Sequence, residues 1–599
     1  MNYTHYSQVF WDQVNKYGDR VAMRYKPKDK WEEITWNQFG DLVRNTSKAL
    51  LDCGIGEQET VGIFSQNMPL WTVADIASLC IRGIPVPIYA TNTAKQAEYI
   101  INDAEIKVLF VGDAEQYSKI MQILPENKHL QKIIVFKESV PIQKSEKIMY
   151  FKDFLKIGEQ SNKDTILSER MQQAKIDDLL TLIYTSGTTG EPKGVMLTHS
   201  NVIFQKGEHD LRLIDPNDND VSLAFLPLSH VFERIWTYYV FATGMTNNYL
   251  EDPGKIIECI QEVKPTIMCA VPRFYEKIYA TVFNQLESAS PLKRKLFNWA
   301  VSVGAKHNNK KKDQQFISPF LRFKFAIADT LVLKKIREVV GGRIKFFPCA
   351  GAPLSQEIEE FFYVCGIFIC YGYGLSETTA TVTCHEPYKF KFGAVGKPLP
   401  HVEVKIDENN GEILVRGGNV MKGYYKKPQA TSEVFTHDGW FRTGDAGYFE
   451  ENGELRITER IKDLIKTSGG KYIAPQMIES TIGADHFIEQ MAVIGDQRKY
   501  VTALIVPSFI ALEEYAKKHN ISFTSREDLI SKPEIIEFYR QRIEEAQKEL
   551  ARFEKIKRFT LLPHEFTVES GEITPTLKIK RKAIADKYKD IIDAMYKDE

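Results

Sequence analysis

Short apolar runs alternate with amphipathic helical patterns through the first half of the sequence, and few folds accommodate that order. The runs are rich in Val, Ile and Phe and end in turn residues, as buried strands do. Residues 36–54 place apolar side chains three and four positions apart and end at Gly54, a favourable C-cap. The alternation predicts parallel sheets covered by helices, an α/β fold. The predicted strands are TVGIFSQN (60–67), KVLFVGD (107–113), KIIVFKE (132–138) and LLTLIYTSG (179–187).

A different pattern begins near residue 395. Short strands separated by Gly and Asn-Gly turns fill 395–460 and predict a small antiparallel unit. Beyond the segment RIKD at 460–463, the chain continues as a smaller α+β segment, with VTALIVPS as a strand and two helical patterns within 508–557. We therefore predict a domain boundary at 460–463.

Composition and charge argue against several classes of protein. Lys and Arg total 78 against 79 Asp and Glu, and the net charge of −1 argues against nucleic-acid binding. With 43% hydrophobic residues, the chain has enough apolar surface to fold. We see neither a secretory signal nor an apolar run of membrane-spanning length, so we expect a cytoplasmic protein. The eight cysteines lack CxxC spacing and are expected to be reduced and buried.

The segment 290–312 leaves two interpretations open. Its apolar residues fall on one helical face, with basic residues elsewhere. It is either a surface helix packed on the core or a helix in peripheral contact with an anionic membrane on its inner face. The apolar residues are Leu292, Leu296, Trp299, Ala300 and Val303.

One loop has the composition of a phosphate-binding site. It follows the last predicted strand and combines hydroxyls, glycines that let the backbone approach a ligand, and a lysine charge. These components hold a polyphosphate, although the Walker A spacing is absent. The residues are Thr185, Ser186, Gly187, Thr188, Thr189, Gly190, Lys193 and Gly194.

This loop is the first of an ordered set of motifs. They are YTSGTTGEPKGV (184–195), YGYGLSET (371–378), WFRTGD (440–445), ERIKDLIKTSG (459–469) and PTLKIKR (575–581). The series resembles the adenylate-forming enzymes, a superfamily of acyl-CoA synthetases, peptide-synthetase adenylation domains and firefly luciferase. Three segments resemble long-chain fatty-acid–CoA ligases in particular, namely LPLSHVFER (226–234), CAGAPL (349–354) and TPTLKIKR (574–581).

The resemblance implies a fold and a reaction. A large N-terminal domain, 1–459, would contain two helix-covered sheets and the small antiparallel β unit, and would bind ATP and the acyl group. Residues 460–463 would be a hinge, and 464–599 a small mobile α+β domain. With ATP and Mg²⁺, such enzymes convert a long-chain fatty acid to an acyl-adenylate with release of pyrophosphate, and then transfer the acyl group to CoA. The oligomeric state stays open.

The resemblance also assigns roles to single residues. Glu377 would hold Mg²⁺, since a hard cation prefers carboxylate oxygen. Lys578 would stabilise charge at the α-phosphate, and Thr188, His230 and Lys466 would complete the catalytic set. Contacts to ATP or AMP would come from Thr185, Ser186, Gly187, Thr189, Gly190, Lys193, Gly351, Ala352, Pro353, Tyr371, Gly372, Tyr373, Gly374, Ser376, Asp445 and Arg460.

Within that set, the chemistry of three residues is explicit. Asp445 would accept hydrogen bonds from both ribose hydroxyls, because a carboxylate has two acceptor oxygens. Arg460 would add a charge-assisted contact to the ribose or the phosphates. Tyr373 would stack on adenine, beside a base pocket lined by 350–353.

The hinge and the acyl pocket carry further expectations. Lys462 would be the residue about which the C-terminal domain rotates, bringing Lys466 and Gly469 to the place of Lys578. Gly469 would leave the CoA channel open. Some bacterial relatives place a gating tryptophan four positions after the histidine of LPLSHVFER; here Arg234 holds that place and Trp236 lies two residues on. The sequence therefore departs from the gated pattern.

Other functions remain as alternatives. A fatty-acyl-AMP ligase that feeds a carrier protein is disfavoured because 460–480 shows no obvious insertion. A peptide-synthetase module and a luciferase-type oxygenase lack support in the segment around His230. A catalytically inactive scaffold is disfavoured by the presence of Thr188, Lys193, Glu377, Asp445 and Lys578.

Overall fold

The computed structural model describes residues 3–185, 191–287, 289–461, 464–468, 472–567, 569–573 and 579–597. Its first part alternates helices and strands. The elements up to residue 185 are α1 (Tyr6–Tyr17), β1 (Val21–Tyr25), β2 (Glu32–Thr35), α2 (Trp36–Asp52), β3 (Thr60–Phe64), α3 (Pro69–Cys80), β4 (Ile84–Ile88), α4 (Ala94–Asp103), β5 (Val108–Val111), α5 (Ala114–Ile123), β6 (Lys132–Val135), β7 (Ile148–Tyr150), α6 (Phe151–Gln160), α7 (Asp164–Gln172) and β8 (Leu179–Thr185).

A parallel sheet forms the centre of this part, as the alternation predicts. The strand order is β4-β3-β5-β6-β7, and every neighbouring pair is parallel. β3 and β5 are buried along their whole length, which requires cover on both faces. The predicted helix α2 begins at a capping box formed by Thr35 and Gln38, and the chain leaves it through Gly54 at φ +76°.

The strand at 179–187 is present as β8, but its pairing differs from the parallel arrangement that we predict. It pairs antiparallel with the next strand, with Thr185 opposite Lys193. Only residues 186–192 join the two strands, whereas a parallel connection needs a crossover of a dozen or more residues. The two described ends of the phosphate-loop motif, at Thr185 and Lys193, therefore lie opposite each other on paired antiparallel strands.

The middle part contains a mixed sheet, β10-β11-β1-β2, and a second four-stranded sheet, β12-β13-β14-β15. A 3₁₀ turn at Ser376–Thr378 follows β13. The elements are β9 (Lys193–Thr198), α8 (His199–Arg212), β10 (Val221–Ala224), α9 (Val231–Thr243), β11 (Thr246–Tyr249), α10 (Ile256–Val263), α11 (Pro272–Glu287), α12 (Pro291–Lys312), α13 (Pro319–Ala328), α14 (Lys334–Val339), β12 (Phe347–Cys349), α15 (Gln356–Val364), β13 (Ile369–Tyr373), β14 (Thr383–Cys384) and β15 (Lys397–Pro398).

The small antiparallel unit predicted at 395–460 is confirmed as the sheet β16-β17-β19-β20, while β18 joins β9. Its elements are β16 (Glu403–Ile406), β17 (Glu412–Arg416), β18 (Gly423–Tyr424), α16 (Pro428–Glu433), β19 (Phe441–Phe449) and β20 (Leu455–Arg460).

The last part is a smaller α+β unit built on the sheet β23-β24-β25. Its buried apolar side chains, between Ile465 and Met595, form clusters separate from those between Tyr6 and Leu455. The elements are β21 (Ile465–Lys466), β22 (Tyr472–Ile473), α17 (Pro475–Ile482), β23 (Ile488–Ile494), β24 (Val501–Pro507), α18 (Phe509–Lys518), α19 (Arg526–Ser531), α20 (Pro533–Ala546), β25 (Ile556–Leu561), α21 (Arg581–Lys587) and α22 (Lys589–Ala594).

The helix predicted from 290–312 is α12, and most of its apolar face is turned toward the protein. Ala300 and Val303 are buried, and Trp299 packs partly buried against the core, whereas Leu292 is 77% exposed. Across the described residues, every helix is too short or too polar to cross a bilayer. All eight cysteines are free thiols; seven are buried and Cys53 is partly buried.

Candidate active site

The motif residues meet in one cleft of about 3880 Å³ between the N-terminal elements and the C-terminal unit. The C-terminal wall includes residues of α17, β23 and α21. The predicted site residues that line the cleft are Thr185, Lys193, His230, Gly351, Ala352, Pro353, Tyr371, Gly372, Tyr373, Gly374, Ser376, Glu377, Asp445 and Arg460.

Among the described site residues, one lies away from the cleft. Lys466 is exposed on β21 and does not line the cleft; its backbone N–H donates to Asp496 Oδ1 at 3.3 Å. Outside the described residues are Ser186, Gly187, Thr188, Thr189, Gly190, Lys462, Gly469 and Lys578.

On the phosphate side, a tyrosine that sequence reasoning missed connects two predicted residues. The ring centroid of Tyr424 lies 4.9 Å from Lys193 Nζ, and its hydroxyl donates to Glu377 Oε1 at 2.9 Å. Burial and the Glu377 carboxylate raise the pKa of Tyr424, so the phenol remains a donor. The pairing of β18 with β9 brings Tyr424 here, and nothing in the local sequence indicates that pairing.

Backbone spacing shapes the adenine side. The Tyr371 hydroxyl accepts from Leu354 N at 3.0 Å and donates to Ala352 O at 3.3 Å, which holds the 350–353 turn against β13. At Gly374 an added Cβ would lie 1.8 Å from Ala380 O, so only glycine fits. The cleft wall predicted for the base is therefore braced by direct hydrogen bonds.

Asp445 is the residue predicted to hold the ribose. It is 7% exposed, and it accepts from Tyr373 Oη at 2.6 Å and Arg460 Nε at 3.1 Å. Asp445 and Arg460 face each other across the β19–β20 ladder, which explains the short contact. A carboxylate offers about four acceptor positions, so the two protein donors leave room for two ribose hydroxyls. Tyr373, predicted to stack on adenine, is fixed through its hydroxyl.

His230 caps the N-terminus of α9. Its Nδ1 accepts from Phe232 N at 3.2 Å, which requires the proton on Nε2 in the neutral ring. His230 and Phe232 both line the cleft. The helix cap therefore fixes both the orientation and the tautomer of this histidine.

Neither Arg234, at the gate position, nor Trp236, two residues on, lines the cleft. Arg234 is 1% exposed; it forms an ion pair with Asp75 and donates to Thr181 Oγ1 at 2.6 Å. Trp236 is 3% exposed, and its Nε1 donates to Ser222 Oγ at 3.0 Å. Both side chains join elements inside the N-terminal part, so the departure from the gated pattern serves packing.

Arg273, at the start of α11, also escaped sequence reasoning. Its guanidinium donates to Glu489 O at 3.0 Å and contacts the Glu489 carboxylate. The Gln476 N–H of the C-terminal unit donates to Glu459 Oε2 at 3.0 Å. These contacts hold the C-terminal unit over the cleft. The local signal was a basic residue in PRFYEKI at a helix N-terminus.

A buried charged triad braces the adenine strand. His385 Nε2 lies 2.9 Å from Glu359 Oε1, and its Nδ1 lies 3.1 Å from Glu454 Oε1. The backbone N–H of His385 also donates to the backbone carbonyl of Tyr371 at 2.9 Å. Burial alone would lower the pKa of His385, but the two carboxylates outweigh it and raise the pKa to about 9.

The triad predicts a pH dependence of stability. Because the pKa of His385 is about 9 when folded against 6.5 unfolded, its contribution is fully present below pH 6.5 and is lost as pH rises through 9. The contribution is on the order of 3 kcal/mol. Thermal denaturation of His385→Gln, measured across this range, should show a shallower fall than the parent protein. His564→Gln, on the surface, is the control; equal slopes in the parent and His385→Gln would contradict the assignment.

Comparisons with known proteins agree with this geometry. The family model described as AMP-binding enzyme matches residues 10–425, and the model for the AMP-binding enzyme C-terminal domain matches 462–599. A long-chain-fatty-acid–CoA ligase, FadD15 of Mycobacterium bovis, is 34% identical over 95% of this chain and 93% of its own. The long-chain-fatty-acid–CoA ligase ACSBG1 of Homo sapiens is 30% identical over 99% of this chain and 85% of its own.

Solved structures show the same fold. The A domain of a carboxylic acid reductase from Segniliparus rugosus, in complex with AMP and a co-purified carboxylic acid, superposes with a TM-score of 0.78 at 21% identity, covering 99% of this chain and 94% of that one. The o-succinylbenzoate CoA synthetase of Bacillus subtilis, bound to its acyl-adenylate, has a TM-score of 0.68 at 20% identity, covering 97% and 98%.

Proposed function

The chain belongs to the AMP-binding enzyme family, and from that premise we propose how its cleft acts as an ATP-dependent long-chain fatty-acid–CoA ligase. A carboxylate oxygen of the fatty acid attacks the α-phosphorus of ATP, and the bond to pyrophosphate breaks. The CoA sulfur, as thiolate, then attacks the acyl carbon, and AMP leaves. One observation carries the proposal: the phosphate-side residues Lys193 and Glu377 and the ribose-side residue Asp445 line a single cleft.

We assign the nucleotide contacts as follows. Thr185, Lys193 and the loop 186–190 hold the β- and γ-phosphates. The 350–353 turn and 371–376 surround the base, and Asp445 and Arg460 hold the ribose. His230 donates from Nε2 toward the fatty-acid carboxylate.

Glu377 fits a magnesium site that is completed by the nucleotide. Across the part of the chain that the structure describes, no three His, Cys, Asp or Glu side chains gather into a metal site. Mg²⁺ typically takes one or two carboxylates together with substrate phosphates and water, and Glu377 offers one carboxylate beside Lys193. When bound, the ion neutralises phosphate charge; Tyr424 orients the Glu377 carboxylate for it.

We propose domains at 1–459 and 464–599 with a hinge at 460–463. The separate apolar clusters on the two sides of this segment support the division. Lys462 is the proposed pivot, Lys578 serves the adenylation state, and Lys466 and Gly469 serve the thioester state. Rotation would require the Arg273–Glu489 contact to break.

The reaction is tested by its cosubstrate dependence. Pyrophosphate release should require both ATP and a fatty acid, and acyl-CoA should form only when CoA is added. Pyrophosphate release without thioester formation would instead indicate a fatty-acyl-AMP ligase. A panel of acids of increasing chain length would then define the acyl preference.

Lys193→Ala and Glu377→Ala should each weaken adenylation. Losing one charged contact to the polyphosphate or its metal should cost about 1.5–3 kcal/mol of transition-state stabilisation, measured as kcat/KM for fatty-acid-dependent pyrophosphate release. Lys119→Ala and Glu115→Ala, which remove the same side chains from a surface ion pair away from the cleft, serve as matched controls. Parent rates in the cleft variants would contradict the assignment.

For the location, we propose a cytoplasmic protein in reversible peripheral contact with a membrane. Long-chain fatty acids partition into bilayers, so contact would raise the local substrate concentration. The proposal is supported by exposed apolar side chains next to α12, rather than by the apolar face of α12 itself, which packs on the protein.

A further inference from the structure

A row of exposed apolar side chains runs along the outer face of α13 and the turn after it. Phe320 is 67% exposed, Phe323 65%, Ile327 38% and Leu331 45%, and Phe316, just before the helix, is 77% exposed. The spacing of Phe320, Phe323 and Ile327 places these three side chains on one face of α13. Phe316 precedes that helix, and Leu331 lies in the π-helical segment after it. We call these five residues the aromatic ridge.

The segment that carries the aromatic ridge has two apolar faces. The ridge is the exposed face, and the other face packs against the core. Leu321, Phe325 and Val332 pack inward against the core, and the Phe325 ring stacks on His307 with centroids 3.8 Å apart. Single exposed apolar residues are ordinary on soluble proteins, but a contiguous row of this kind marks an interaction surface.

Cationic side chains flank the ridge. Arg322, Lys334 and Lys335 are exposed, and Lys324 Nζ lies 4.4 Å from the Phe320 ring centroid. The one acidic residue in 316–337 is Asp329, whose carboxylate is engaged by the Arg337 guanidinium at 2.7 and 2.8 Å. The segment 316–338 therefore carries five basic residues against Asp329 and the exposed Glu338.

We propose that the aromatic ridge seats in the surface of a lipid bilayer that carries anionic headgroups. Aromatic and aliphatic side chains on one face with Lys and Arg at its margins match an interfacial helix, and the cations complement anionic lipid. Phenylalanine rings that are 65–77% exposed and have basic neighbours suit a bilayer surface, into which each ring can insert. The inference rests on the membrane contact proposed above and identifies the aromatic ridge as the surface that makes it.

The ridge is also connected to the cleft. Phe283 of α11 lines the cleft and contacts Phe297 of α12, with ring centroids 5.9 Å apart, and α12 packs against α13. Seating the ridge would place the cleft wall two helices from the lipid.

The test is flotation of the full-length protein with vesicles of phosphatidylcholine alone or with added phosphatidylglycerol. Phe320→Ser/Phe323→Ser should reduce binding to the anionic vesicles by about tenfold or more, because two rings no longer leave water. Lys334→Gln/Lys335→Gln should reduce the preference for anionic over neutral vesicles. Leu211→Ser/Ile510→Ser removes two equally exposed apolar side chains elsewhere and should bind as the parent does.

Two flotation results would overturn the proposal: the parent protein does not bind vesicles, or the parent and the Phe320→Ser/Phe323→Ser variant bind equally. A third result would also overturn it: the parent does not bind vesicles but sediments as a dimer, and the variant sediments as a monomer. The last would assign the ridge to a second copy of the chain. Acyl-CoA formation from a detergent-solubilised long-chain fatty acid without vesicles is measured in parallel. If the parent protein forms no acyl-CoA in this assay, the proposed function is wrong. If it forms acyl-CoA but does not float with vesicles, only the proposed role of the aromatic ridge is wrong.

Discussion

Lys578→Ala is expected to slow adenylation by about 10³-fold while leaving the second half-reaction intact. Removing the ammonium group withdraws electrostatic stabilisation from the charge that develops at the α-phosphate. Supplied acyl-adenylate and CoA should still give thioester and AMP, because under the proposed rotation the C-terminal unit would present a different face in that step. Single-turnover assays of each half-reaction measure the separation, and Lys548→Ala, in the exposed turn after α20, is the control.

The reciprocal variant at the pivot should show the opposite behaviour. Lys462→Pro should release pyrophosphate but fail to make thioester, because proline fixes φ and stiffens the hinge. The flanking structure supports a pivot there: Arg460 is tied to Asp445 at 3.1 Å, whereas Ile465 packs in the C-terminal cluster. Lys462→Ala keeps the backbone free and should retain both steps. Equal loss of both steps in Lys578→Ala and Lys462→Pro would contradict rotation about residue 462.

The second large effect is on stability. Arg234→Met should lower the free energy of unfolding of the N-terminal part by about 3–5 kcal/mol, because Asp75 is left as an uncompensated buried charge. Asp75 is 1% exposed; besides Arg234, it accepts from the Tyr238 hydroxyl at 2.7 Å. Calorimetric unfolding of the parent and the variant measures the difference.

A double variant separates the ion pair from simple packing loss. Asp75→Leu/Arg234→Met removes both charges together and should recover much of the stability that Arg234→Met loses, since a buried pair replaced by apolar side chains is often neutral. A surface pair, Arg416→Met with Glu403→Leu, should cost little in either form. If Arg234→Met unfolds as the parent does, the pair does not carry the stability that its burial implies.

Much of the architecture follows from local sequence. The strands at 60–64, 108–111 and 132–135 and the helix α2 fall inside the predicted segments, because short apolar runs and capping residues act over a few neighbouring positions. The small antiparallel unit is likewise marked by its own turns. The resemblance of the ordered motifs to the adenylate-forming enzymes also identified residues that line a single cleft, such as Lys193 and Asp445.

The pairing of segments that are distant in the sequence could not be predicted from local sequence patterns. The sequence shows β8 as a strand but not its antiparallel partner, and it gives no sign that Tyr424 reaches Glu377. In the sequence, His385 looks like an isolated histidine. In the structure it contacts Glu359 and Glu454, which are 26 and 69 residues away along the chain. Such contacts depend on chain topology, which brings together residues whose neighbours in sequence carry no record of the meeting.

The two amphipathic helices show most clearly what each level determines. Periodicity alone established that 290–312 has an apolar face, and composition established that the chain is a folded protein with no spanning helix expected. Which apolar face meets the core was decided by packing: α12 turns Ala300 and Val303 inward, while α13 packs Phe325 partly buried against the core and leaves Phe320 and Phe323 in water. The hydrophobic effect is non-directional, so a sequence records how much apolar surface must be covered, and only the assembled tertiary structure determines which part the protein itself covers.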